Sequence, residues 1–157
     1  MGRKKKTDNR WSDIDGGMAF LIPYTLLRHE NFTRLSAYGN KLVMDLARQY
    51  TGYNNGYLCA SWSLLQEHGW NSSHTVQNAV LECEHYNIIM RTRQGGLNKA
   101  NLHALTWRRI DEKKGKDLDV LPTLAPPNTW KEVRPTFVLP EKRKVRSKVR
   151  STLRKAA

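Results

Sequence analysis

The sequence predicts an α+β fold, mainly helical, in which three helices and a β-hairpin form one domain with basic, partly disordered tails. Three observations carry that expectation. Ser36 stands before AYGNKLVMDLARQY, where Leu42, Val43, Leu46, Ala47 and Tyr50 recur at three- and four-residue steps. Ser61 and Ser72 each precede a short amphipathic run, and Gly69 lies between the two runs. Residues 88–93 and 102–107 are apolar-rich segments joined by a loop rich in Gly and Asn, the pattern of a hairpin. A chain of 157 residues supports one ordinary core and is too short for two.

Taken in order, residues 1–17 are polar and charged, end in Gly16-Gly17, and read as a basic flexible arm. Residues 18–28 (MAFLIPYTLLR) are apolar, but Pro23 inside them lacks an N–H and suits an edge strand or extended segment better than a helix. The first helix follows Ser36. Its Gly39 costs about 1 kcal/mol relative to alanine, which fits a close packing contact there. GYNNG at 52–56 is dense in residues that accept positive φ and forms a turn, and a short strand over 57–60 follows. Ser61 then caps a second helix, WSLLQEH, with Leu64 and Leu65 inward, and Gly69 ends it. Ser72 caps a third helix running to about His85, with Val76, Ala79, Val80 and Cys83 on its inner face.

The hairpin comes next and closes a domain expected over 18–110. Prolines at 122, 126, 127, 135 and 140 then break any periodicity, so residues 111–140 read as an extended connector anchored by Trp130, and 141–157 as a basic C-terminal tail. The succession helix, strand, helix, helix, hairpin is that of a winged helix-turn-helix.

The formal net charge is +13, with 27 Lys and Arg against 14 Asp and Glu. Residues 1–10 hold five basic residues against one acidic, and residues 140–157 eight against one, so the excess sits at the ends. Such ends make a polyanion the expected partner, while basic tails that only maintain solubility are the bland alternative. No apolar stretch is long enough for a targeting or spanning segment, which excludes a membrane role and points to the cytoplasm. Cys59 and Cys83 lack zinc spacing and read as buried thiols. His29, His68, His85 and His103 have no ligand partners at metal spacing. Trp11, Trp62, Trp70, Trp107 and Trp130 read as core residues rather than base-stacking platforms.

There is no Gly-rich phosphate loop, nucleophile motif or His-carboxylate pair. Asp117 and Asp119 form an acidic cluster within a Lys-rich connector, where solvated linker is the simpler reading. The expectation is therefore a protein that is not an enzyme, with no catalytic residues, no metal, no cofactor and no small-molecule substrate.

The segments LSAYGNKLVMDLARQYTGYNNGYL, SWSLLQEHGWNSSHTVQNAVLECEHYNII and MRTRQGGLN leading into HALTW resemble winged helix-turn-helix DNA-binding proteins. The resemblance is narrower to the small helix-turn-helix proteins of bacteria, phages and mobile elements, a group that PPNTW at 126–130 also resembles. It implies duplex binding in a bacterial cytoplasm or nucleoid, and supplies no process. Where such proteins usually carry Gly before the first wing strand this chain has Asn87, which also accepts a left-handed backbone.

With Ser72 as cap, the third helix turns Ser73, His74, Thr75, Gln77 and Asn78 away from the core. Gln and Asn can bond adenine bidentately, Ser several base edges and His a guanine or a phosphate, so this face suits major-groove readout. A solvated polar face is the alternative. The hairpin adds Arg91, Arg93, Gln94, Asn98 and Lys99, suited to phosphates or a narrow minor groove. The tails add Arg3, Lys4, Lys5, Lys6, Lys142, Arg143, Lys144, Arg146, Lys148 and Arg150 as phosphate contacts. Together these predict sequence-specific binding of double-stranded DNA by a transcriptional regulator or a replication-origin factor of a phage or mobile element. A protein-interaction module, or an RNA-binding protein using its tails, is the alternative. A homodimer stays open, since no heptad pattern is left over.

Overall fold

Two thirteen-residue helices and a three-stranded antiparallel sheet enclose the core of the protein, whose computed structural model describes residues 13–140. In chain order the elements are α1 (Tyr24–Leu27), α2 (Glu30–Thr33), α3 (Ala37–Gln49), β1 (Leu58–Cys59), α4 (Trp62–Leu65), α5 (Ser73–His85), β2 (Ile89–Arg93) and β3 (Leu102–Leu105). Short 3-10 turns stand at Asp15–Gly17, Gln66–His68 and Thr129–Lys131.

At 18–28 the extended reading holds up to Pro23, and the first departure from expectation is the helical turn that follows it. Phe20 and Ile22 pack in extended chain against the core, and Pro23 becomes the N-cap of α1 with φ −61°. Proline is excluded from helix interiors but suits their start, where its missing N–H is not needed. One-turn α2 was not anticipated either. Its cap is His29, whose Nδ1 accepts from the Asn31 amide at 3.2 Å.

Ser36 opens α3 by accepting from the Gly39 amide at 3.1 Å. Its own amide and hydroxyl donate to Glu82 on α5, at 2.8 and 2.6 Å, so one carboxylate ties the start of α3 to α5. Gly39 is the crossing point of these helices. A Cβ there would stand 2.5 Å from Glu82 Oε2 and 3.1 Å from Leu35 Cδ2.

A second carboxylate, buried Asp45 on α3, accepts from Trp70 Nε1 at 2.6 Å, Arg48 at 2.9 Å and Lys41 at 3.2 Å. Lys41 also donates to the His68 carbonyl at 2.7 Å. The turn between α4 and α5 is thereby fastened to α3, and Gly69 within it takes φ +74°.

At α4 two details are corrected. The Ser61 hydroxyl does not cap the helix; its carbonyl receives the Leu64 and Leu65 amides. Only Leu65 is buried, while Leu64 is 37% exposed, because a single turn offers the core one row. Cys83 is buried as expected but Cys59 only half-buried, and both are free thiols. Burial, reinforced by Glu82 and Glu84, pushes the Cys83 thiol well up and keeps it inert.

The sheet runs β1-β3-β2. Leu58 pairs with His103, Ile89 with Leu105 and Arg91 with His103, and an irregularity between Arg91 and Arg93 brings Arg93 opposite Leu102. Asn87 enters β2 with φ +55°. The base of the hairpin is held by fully buried Asn55, whose Nδ2 lies within bonding distance of the Leu105, Arg108 and Arg109 carbonyls and whose Oδ1 accepts from the Leu105 amide.

Residues 111–140 lie in extended form against this body. The Asp119 amide donates to the Thr92 carbonyl and its carboxylate accepts from the Gln94 amide. Trp130 is buried in the main core. Asn31 Nδ2 donates to the Trp130 and Glu132 carbonyls, and its Oδ1 accepts from the Arg134 amide. Trp70 and Trp107 are also core residues, with Trp62 half-buried beside them. No helix among the described residues is long and apolar enough to cross a membrane.

Candidate nucleic-acid interface

The inner face of α5 is set by Val76, Ala79, Val80 and Cys83, all buried. Its outer face therefore has two polar rows. Ser73 and Gln77, both exposed, form the row turned towards the hairpin. His74 and Asn78 form the next row, where Asn78 Nδ2 lies 3.3 Å from His74 Nε2. Ser72 accepts from the His74 amide at 3.2 Å, and Ser72 and Thr75 are half-buried at the flank.

Opposite the first row stands the hairpin loop. Gly95 has no room for a side chain against the backbone of Lys99 to Asn101. Gly96 and Lys99 then exchange amide-carbonyl bonds of 3.0 and 3.1 Å, so the ladder continues and the turn narrows to Leu97 and Asn98, with Asn98 at φ +60°. Leu97 is 93% exposed at the tip, a position that the charge pattern gave no reason to single out. Between loop and helix lies an open groove of about 570 Å³, lined among others by Ser73, Gln77, Arg91, Gln94 and Lys99, with His103 at its floor.

The hairpin cations are not equivalent. Arg91 Nε and Nη2 donate to the two oxygens of Glu84, both at 3.1 Å, and Nη1 donates to Gln94 Oε1 at 2.7 Å. Arg93 is half-buried and donates to the Ala100 carbonyl at 3.3 Å. Arg108 lies 5.2 Å from the Phe20 and Tyr50 ring centroids, and Arg109 pairs with Asp111 at 3.2 Å. Lys99 is exposed and makes no ion pair among the described residues.

Glu84 falls on the same stripe of α5 as Gln77, two turns further on, where it meets Arg91 of β2. Buried His103 also faces it, with Nε2 3.4 Å from Glu84 Oε1, although neither ring nitrogen makes a hydrogen bond. Burial would raise the Glu84 carboxyl, but the nearness of His103 and Arg91 outweighs burial and holds it below the usual carboxylate range. A group depressed in this way stabilises the fold above its unfolded pKa of about 4.3, and the contribution is lost as pH falls through the folded value. Glu84→Gln is therefore expected to be less stable than the native protein by about 1–2 kcal/mol at neutral pH. In urea unfolding the gap should persist through the usual carboxylate range and close only as pH falls below it, where Glu84 is protonated in the native protein too.

Sequence reasoning missed Glu84, His103 and the tie from Asp119 to the hairpin root. A carboxylate seven residues before Arg91 is visible in the chain, but only the helix-to-strand reversal at Asn87 brings the two together. The expected tail contacts at Arg3, Lys4, Lys5, Lys6, Lys142, Arg143, Lys144, Arg146, Lys148 and Arg150, and Trp11, lie outside the described residues. Among the described residues no group of three or more His, Cys, Asp or Glu is placed to hold a metal ion. Comparison of the chain with protein-family models, with curated proteins and with solved structures finds no match in any of the three.

Proposed function

We propose that the protein binds double-stranded DNA sequence-specifically as a winged helix-turn-helix, with α5 in the major groove and the β2–β3 hairpin as the wing. The supporting observation is the shared groove: the exposed Ser73–Gln77 row of α5 and the Lys99-bearing loop face each other across one open concavity. An amide row with a cation beside it suits base edges flanked by phosphates. The resemblance of residues 32–107 adds duplex binding, and the process we propose for it is regulation of transcription or marking of a replication origin in a phage or mobile element.

Selection of binding sites from random duplex DNA tests the reading. Replacing Gln77 and Asn78 together with Ala is expected to reduce preference for the selected site by about 10- to 100-fold while non-specific affinity stays within about twofold. A double variant that still selects the same site removes α5 from the base-reading role.

A further inference from the structure

We infer that Arg91 reads a guanine rather than a phosphate, oriented for that purpose by Glu84; the inference rests on the DNA-binding reading above. Its starting point is how the guanidinium is used. Of the five N–H donors that an arginine carries, Nε and one on Nη2 go to Glu84 and one on Nη1 goes to Gln94. One N–H remains on each terminal nitrogen. The side chain is 35% exposed and lines the groove beside Gln77, so this remaining pair of donors belongs to the surface that a duplex would meet.

Two acceptors can be taken by such a pair: the N7/O6 edge of guanine, or two oxygens of a phosphate. Charge decides between them. The Glu84 carboxylate is ionised across the neutral range, so Arg91 and Glu84 together carry no net charge. A phosphate would gain little from a neutralised arginine and would meet the carboxylate 3.1 Å behind it. A guanine edge is itself neutral and needs two donors in a fixed direction, which a guanidinium already held by three hydrogen bonds provides with little rotamer entropy left to lose. Lys99, exposed on the loop of the same hairpin where it lines the groove, supplies the phosphate contact instead. Glu84 is on this account a positioning residue.

The full chain is used to select sites from random duplex. Each guanine of the selected site is then replaced singly by 7-deazaguanine, which lacks the N7 acceptor, and each nearby phosphate by a methylphosphonate. One guanine is expected at which the deaza base weakens the native protein by about tenfold and Arg91→Lys, which keeps the charge but not the fork, clearly less. Glu84→Gln is expected to lower guanine preference at that same position and, by freeing a cation, to steepen the salt slope by about one unit. A purely structural role for Glu84 would not increase the salt slope. Coupling of Arg91→Lys to a methylphosphonate and to no guanine overturns the inference, as does a site whose guanines are all indifferent to the substitution. Failure to select any site overturns the DNA-binding reading itself, which separates the two failures.

Discussion

A chain ending at residue 140 is expected to bind every duplex more weakly than the full chain, with the salt dependence of binding flattened by several units of slope. The removed segment, residues 141–157, holds eight basic residues and one acidic. Each phosphate neutralised contributes about 0.9 to the slope, so full engagement of the eight amounts to roughly 7. The chain between the two basic ends has far less to offer: residues 11–139 hold 14 basic and 12 acidic residues, and Arg91 and Arg109 are already in ion pairs. Preference for one sequence over another should survive the truncation, because phosphate contacts carry no sequence information.

Titrations at about 50 and 200 mM salt, on a selected site and on random duplex, check both halves of this expectation. An unchanged slope would mean that the tail does not touch the duplex. Complete loss of binding by the truncated chain would favour the second reading, a winged-helix interaction module whose basic tail holds RNA or an acidic partner.

The largest loss of stability from a single side chain is expected at Asn55. Its amide joins the turn after α3 to the far end of β3, with contacts of 3.0 Å to the Leu105 carbonyl, 2.9 Å to that of Arg109 and 2.8 Å from the Leu105 amide. Its own amide donates to Asp111 at 2.9 Å. Asn55→Ala keeps that last bond but leaves a buried N–H and several carbonyls without partners around a fully buried position, which costs about 3–5 kcal/mol. Urea unfolding should show the loss, and hydrogen exchange at the Leu105 amide should accelerate more than exchange in α5. A loss below about 1 kcal/mol would show that water replaces the side chain at little cost.

Local signals account for what could be read in advance. Ser36 and Ser72 cap helices because a short hydroxyl side chain reaches the amides of the first turn, and nothing distant has to be known. Gly69 and Asn87 stop helices because few residues accept the left-handed backbone. The burial of Val76, Ala79, Val80 and Cys83, and hence the outward face of α5, follows from periodicity alone. Partners far apart in the chain could not be read. Asn55 was visible as a turn residue, but its bonding partner lies fifty residues later. No local pattern announces that Glu82, Glu84 and Asp45 each hold two or more donors from other elements or from their own helix. Charge counting therefore overstated the hairpin, since it could not see that Arg91 is already neutralised.

The grip of Asn31 on the chain at Trp130, Glu132 and Arg134 fixes the point from which the last segment departs. Arg134 and Phe137 are fastened to the His85 carbonyl and the Tyr86 hydroxyl, so the strand is launched from the end of α5 opposite Ser73, roughly 18 Å along the helix axis. Seventeen residues can stretch to about 60 Å at most. Under the DNA-binding proposal, phosphate contacts made from that point would extend the track along one flank of the target instead of deepening the hold at its centre.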